Sequence, residues 1–251
     1  MSRAVLFLRS LLFAALVVAV TIPWSLLCFL CAPFPYRMRY RVTVCWNIFV
    51  IWLAKVLCGI RYQVKGMENL PDTPLILLAK HQSAWETIFL AYRMPRPVVY
   101  VMKRELIRIP LFGWALALLR MIPIDRRNGK DAFAQVVRQG RKRLQDGLWI
   151  VMFPEGTRTP VGGQGKYKGG GARLAIETQT PVVPVALNAG ECWPRNAFIK
   201  QPGLVTISIG KPISPQGLSA GELLQQVENW IESEMRVISP HAYPADATKK
   251  P

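Results

Sequence analysis

The chain has 251 residues and sets 32 Lys and Arg against 15 Asp and Glu, a formal net charge of +17 with 51% hydrophobic residues. A soluble nucleic-acid binder is rarely this apolar, so the combination favours a protein held at an anionic membrane surface. The length allows one domain with a sizeable core plus an appendage. Charge is uneven: no Asp or Glu precedes Glu68, whereas Arg3, Arg9, Arg37, Arg39 and Arg41 all do. Four of the five cysteines (Cys28, Cys31, Cys45 and Cys58) fall in the apolar N-terminal region. They read as small apolar side chains of a reduced, cytosol-facing protein, and Cys28-x-x-Cys31 has no second pair to complete a metal or redox site.

Residues 10–36 carry no charge, and at about 1.5 Å per residue they are long enough to cross a bilayer core of about 30 Å. Pro23 and Pro33 predict a kink and a stop. A second apolar segment, 42–60, is interrupted by Asn47 and Lys55. The basic link Arg37-Met38-Arg39-Tyr40-Arg41 is expected at lipid headgroups on the cytoplasmic side, and Arg3 and Arg9 draw the N-terminus to that side too. Two crossings or a re-entrant pair in one leaflet both remain, with the re-entrant pair resolving the charge conflict more easily. From Arg61 onward, apolar runs at 75–79, 98–102, 148–153, 182–187 and 204–209 predict strands. They alternate with helical patterns over 110–120, 131–145, 171–178 and 220–238. The expected organisation is a membrane-associated helical pair over 1–60, an α/β domain over 61–238, and a polar, mobile tail over 239–251.

Two polar turns follow buried strands. In Lys80-His81-Gln82-Ser83-Ala84-Trp85-Glu86-Thr87, Ser83 and Glu86 form a capping-box pattern, which predicts a helix start near Ser83 and leaves His81 in the turn. A continuous helix would set His81 and Glu86 about 140° apart. A turn instead allows the imidazole to fold back onto the first helical turn, where a carboxylate can accept its N–H. That is the geometry of a general base with its orienting group. The plainer alternative makes Glu86 a cap and His81 a locally bonded histidine. The second turn is Phe153-Pro154-Glu155-Gly156-Thr157-Arg158, and two such turns at strand ends are how open α/β sheets build clefts.

His81-x-x-x-x-Glu86 followed by Phe153-Pro154-Glu155-Gly156-Thr157-Arg158 resembles the glycerolipid acyltransferase family, specifically its 1-acylglycerol-3-phosphate acyltransferases. Lys103-Arg104-Glu105-Leu106, Pro110-Leu111-Phe112-Gly113 and Ile124-Asp125-Arg126 resemble that family's second block, and Pro181-Val182-Val183-Pro184-Val185 its fourth. The four blocks stand in family order over about residues 66–212. The chain departs from the family in having Glu86 where Asp is usual, and Arg120 and Pro123 where Gly and Phe are usual.

The resemblance implies a mixed sheet flanked by helices, of the glycerol-3-phosphate acyltransferase-like kind. It implies transfer of a fatty acyl group from acyl carrier protein or coenzyme A to the sn-2 hydroxyl of a lysophosphatidate, giving phosphatidate. His81 is the natural base, because imidazole as a side-chain type titrates near neutrality, and Glu86 would fix its tautomer. The sequence has no Gly-x-Ser-x-Gly elbow, Ser83 is better explained as a cap, and direct attack by the lipid hydroxyl on the thioester is the simpler scheme. The resemblance assigns Arg158 to the substrate phosphate, and Lys103 and Arg126 with it; pairing of Arg158 with Glu155 is the alternative. Glu155, Gly156 and Thr157 are read as forming the turn.

The Gly-rich stretch 162–171 lacks the Ser or Thr of a nucleotide-binding loop and is read as a mobile flap near the phosphate. No metal or other cofactor is expected, since the chain has two histidines and no metal-ligand spacing. Expected partners are the bilayer, the lysolipid and the acyl thioester. The expected location is the cytoplasmic face of a bacterial-type inner membrane. An acyltransferase for another lysolipid or an aminolipid, or a non-catalytic lipid-binding protein, are the competing readings.

Overall fold

The structure, a computed structural model, describes residues 1–109, 112–125 and 129–243. The chain forms two compact units, and each is discontinuous: residues 1–59 with 87–150, and residues 60–86 with 151 onward.

The first unit opens with α1 (Arg3–Leu30), capped by the Ser2 hydroxyl, and α2 (Tyr36–Cys58). Both are long and apolar enough to cross a membrane. Pro23 lies inside α1, and Pro35, with its fixed φ, is the N-cap of α2. The basic stretch 37–41 is therefore not a linker but the first turns of α2, and only residues 31–35 join the helices. The two helices satisfy each other's indoles: Trp24 donates to the Val42 carbonyl at 2.9 Å, and Trp46 to Thr21 Oγ1 at 3.1 Å. In an apolar medium an unpaired N–H is costly, so these bonds fix the helix pairing. Leu8, Val18 and Leu30 on α1 stay well exposed.

Asn47, which broke the apolar pattern of α2, donates to the Ile88 carbonyl at 2.9 Å in α3 (Trp85–Arg93). Tyr40 OH donates to the Ala91 carbonyl and accepts from Val98 N, the first residue of β3 (Val98–Lys103). β3 pairs in parallel with β4 (Ile122–Ile124), a strand not anticipated because it contains Pro123. α4 (Phe112–Leu118) and α5 (Gly129–Gln145) complete the unit. Pro110 and Leu111, read from sequence as the start of α4, lie outside the described residues.

In the second unit the strands run β1-β7-β6-β2: β1 (Ile60–Lys65), β7 (Gly203–Ile209), β6 (Val182–Leu187) and β2 (Ile76–Ala79). The β1–β7 and β2–β6 pairs are parallel and β6–β7 is antiparallel, so the sheet is mixed. β2 and β6 are buried along their whole length, as unbroken apolar runs predict for strands covered on both faces. β1 had gone unseen in the sequence because its buried and exposed residues alternate through Arg61, Gln63 and Lys65. Pro184, which lacks a donor, is tolerated in β6 because ladder pairing with β7 begins at Val185; its carbonyl accepts from Gly210 N at 2.9 Å. α6 (Gly170–Thr178) packs on β2, and α7 (Ala220–Ile238) packs on β6 and β7. β5 (Trp149–Met152) ends where the second motif begins.

Candidate active site

β2 ends at Ala79 and the chain turns at once through Lys80 and His81. Helix α3 starts at Trp85, two residues later than the capping pattern suggests. Ser83 Oγ accepts from Trp85 N at 3.1 Å, and only the glutamate half of the box forms, with Glu86 accepting from Ser83 N. That reach back into the turn is what brings the pair together. His81 Nδ1 lies 2.6 Å from Glu86 Oε1, and the same oxygen accepts from Gln82 N at 2.7 Å and Ser83 N at 2.9 Å. An oxygen already receiving two main-chain N–H groups is an acceptor, which assigns the ring proton to Nδ1 and leaves Nε2 as the basic nitrogen. The Glu86 side chain is fully buried and the ring keeps 13% exposure. Burial pushes the Glu86 carboxyl above its ordinary value of 4.5, while the bond and charge of His81 and the two N–H groups work the other way.

The second motif closes round His81. Phe153 stacks on the imidazole, with ring centroids 3.9 Å apart and planes 15° from parallel. Glu155 Oε2 accepts from His81 N at 2.8 Å, and Thr159 N donates to the His81 carbonyl at 2.7 Å. Both main-chain groups of His81 are thus held by residues more than seventy positions downstream. The turn needs Gly156: its φ is +69°, and a Cβ there would lie 2.9 Å from Lys168 Nζ.

Glu155 does not pair with Arg158. Its partner is Lys80, at 2.8 Å from Oε1 with both side chains fully buried, and Thr159 Oγ1 donates to the same oxygen at 3.2 Å. Arg158 is half-buried and its Nε is buried without a hydrogen-bond partner, while Arg195 donates to its carbonyl at 2.7 Å. Thr157 is exposed in the turn. Lys103 is exposed at the end of β3, in the other unit, and Arg126 lies outside the described residues. The segment 162–171 is not a free flap. Lys168 N donates to the Pro154 carbonyl at 2.8 Å, Tyr167 OH to Glu232 Oε1 at 2.8 Å, and Lys80 Nζ to the Gly163 carbonyl at 3.1 Å. Among the described residues no group of three or more His, Cys, Asp or Glu is disposed to hold a metal ion.

Lys80 and Glu232 were not singled out in the sequence, and no local spacing marks them. The Lys80 ammonium lies 2.8 Å from Glu232 Oε1 on α7, a residue 152 positions away. Burial works against the Lys80 charge, but Glu155 and Glu232 prevail and raise its pKa above the ordinary 10.5. Burial, then the two carboxylates, push the Tyr167 phenol far up.

The mixed sheet thus carries an imidazole–carboxylate pair at the end of a buried strand, clasped by a glycine-containing arginine turn, an arrangement able to serve as a general base with its orienting group. The sequence model of the Acyltransferase family matches residues 61–188. The chain is 45% identical over 238 residues to the 1-acyl-sn-glycerol-3-phosphate acyltransferase of Pseudomonas aeruginosa, covering 93% of this chain and 92% of that protein. It is 27% identical to the enzyme of the same name from Limnanthes alba, covering 94% and 84% of the two chains. The 1-acyl-sn-glycerophosphate acyltransferase PlsC of Thermotoga maritima shares the fold, with a TM-score of 0.79 at 21% identity over 95% of this chain and 99% of that one. The chain belongs to the acyltransferase family.

Proposed function

We propose that this chain transfers a fatty acyl group from an acyl thioester, of acyl carrier protein or coenzyme A, to the sn-2 hydroxyl of 1-acyl-glycerol-3-phosphate, making phosphatidate. The observation that carries the reading is the 2.6 Å His81–Glu86 contact, held on both sides by the Phe153–Arg158 motif. The names of relatives that match this chain over nine-tenths of its length support the lysophosphatidate acceptor.

His81 Nε2 takes the proton from the lipid hydroxyl as its oxygen attacks the thioester carbonyl. The imidazolium so formed faces Glu86, whose buried carboxylate is stabilised by that positive charge as it develops. Collapse of the tetrahedral intermediate breaks the C–S bond, and the imidazolium returns its proton to the leaving thiolate. The products are an ester and a free thiol, and no acyl-enzyme is needed. Arg158, with a buried Nε that no protein group satisfies, is suited to the lysolipid phosphate. Lys103 and Arg126 belong to the same proposal with no geometry of their own to add. The apolar helices α1 and α2 keep the site at the bilayer where acceptor and product reside, on the cytoplasmic face of a bacterial-type inner membrane.

The test is an acyltransfer assay with lysophosphatidate and other lysolipids, each with both donors. His81→Ala is expected to lower kcat about 10²- to 10⁴-fold. Arg158→Ala is expected to raise KM for the lysolipid about 10- to 100-fold with a smaller effect on kcat. Wild-type protein that acylates another lysolipid faster than lysophosphatidate overturns the acceptor assignment, and undiminished acylation by His81→Ala overturns the mechanism.

A further inference from the structure

We infer that Lys80 is a positioning residue: its ammonium, held by Glu232 of α7, locks Glu155 so that Glu155 in turn fixes the main chain of His81. The inference deepens the acyltransferase reading and rests on it for the kinetic part of its test. Lys80 is fully buried and all three of its donor directions are used, on Glu155 Oε1 and Glu232 Oε1 at 2.8 Å each and on the Gly163 carbonyl at 3.1 Å. A buried ammonium with three acceptors has one orientation and no slack.

Glu155 is saturated in the same way. Oε1 takes Lys80, Thr159 Oγ1 and Gly165 N, and Oε2 takes His81 N. The chain of contacts is therefore Glu232 to Lys80 to Glu155 to His81 N, with Thr159 N closing it on the His81 carbonyl. Tyr167 OH donates to Glu232 Oε1, and Tyr243 lies beneath the ammonium with its ring centroid 5.7 Å from Nζ. None of these groups reaches the imidazole ring or Arg158, so none touches the reacting atoms. What they set is the angle at which the backbone presents the ring to Glu86 and to substrate. A misplacement of about 1 Å at such a point costs up to about 10²-fold in rate.

Lys80 sits between two carboxylates, so removing its charge alone leaves two buried anions facing one another, and Lys80→Met is expected to fold poorly. Lys80→Met/Glu232→Gln keeps the net charge of the Lys80–Glu155–Glu232 cluster as in the wild type, and Glu155→Met keeps the Lys80–Glu232 pair while removing the acceptor of His81 N. Two readouts apply to both variants. The first is steady-state kinetics: kcat is expected to fall about 10- to 100-fold with KM for the lysolipid within twofold of wild type, although the double variant regains the thermal stability that Lys80→Met loses. A purely structural role for Lys80 makes kcat recover together with stability. The second needs no substrate. The chain has two histidines, so 15N-histidine spectra, assigned with His241→Asn, report the His81 Nδ1–H bonded to Glu86. That proton is expected to be protected from exchange in wild type and exposed in both variants. Wild-type kcat in either folded variant, or an unchanged His81 signal, overturns the inference. Failure of the wild-type protein to acylate lysophosphatidate, with the histidine signal still lost in the variants, overturns only the substrate reading.

Discussion

Glu86 concentrates three N–H donors on a single carboxylate oxygen, and the other oxygen is buried with no partner. Shortening the side chain by one methylene withdraws that oxygen but keeps a carboxylate on the same turn, where Gln82 N and Ser83 N can still reach it. Glu86→Asp is expected to keep substantial activity, whereas Glu86→Gln, which no longer faces the imidazolium with a charge, is expected to lose about 10²- to 10⁴-fold in kcat. Comparing kcat of the two variants at equal folded fraction checks this. Lys80 gives a stability signature instead. Its folded pKa is raised above 10.5, so its contribution is complete below that pH and is lost as pH climbs through the folded value. Melting temperatures of the wild type are expected to drop steeply above about pH 10.5, and those of Lys80→Met/Glu232→Gln to lack that component. His81 and Glu86 were legible in the sequence because five residues and a capping pattern connect them. Lys80 was not, because its meaning depends on Glu155 and Glu232, which only the folded sheet brings to it.

Helix α7 shows what an element contributes beyond its own packing. Ser219 and Glu222 form a complete capping box, and Leu223, Val227, Ile231 and Met235 recur at four-residue spacing on its buried face. The spacing of Leu223, Val227 and Ile231 made the helix readable in the sequence, whereas the capping box emerges only in the structure. The residue that ends α4's turn is a harder case. Arg120 adopts φ +59°, a left-handed conformation that explains why glycine is usual there in the family it resembles. The side chain offsets the strain by an ion pair to Asp146 at 3.0 Å and by stacking over Tyr36. Arg120→Gly is expected to fall within about 1 kcal/mol of wild-type stability, and Arg120→Ala to be about 1 kcal/mol less stable than Arg120→Gly. Denaturant titration of the three proteins decides it; an alanine variant as stable as the glycine one would mean the conformation carries no strain. β1 and β4 stayed hidden because one alternates with charged residues and the other contains a proline, so neither forms the unbroken apolar run that marks β2 and β6.

At the scale of the molecule, a charge of +17 and two long apolar helices are expected to give two separable attachments to a bilayer. The electrostatic one is screened by salt and the apolar one is not. The chain is expected to stay with membranes through high-salt and alkaline-carbonate washes and to be released by detergent. Binding of the detergent-free remainder to anionic vesicles is expected to exceed that to zwitterionic ones and to fall with ionic strength. Recovery in the salt wash would count against embedded helices. The uncharged stretch 10–36 made the first long apolar helix legible from sequence, but neither the bonds from α2 to α3 and β3 nor the discontinuity of both units was, since they arise from residues far apart in the chain.

The ion pair between Lys80 and Glu232 also carries a consequence for biogenesis. A ribosome delivers the two apolar helices and the histidine motif long before the last helix leaves the exit tunnel. Until then the nascent chain has a lysine with no second carboxylate to hold it. If α1 and α2 embed in a bilayer, insertion can run to completion before Glu232 is made, and a chain cut short of residue 232, which keeps both signature motifs, is expected to be retained by membranes while showing little acyltransfer.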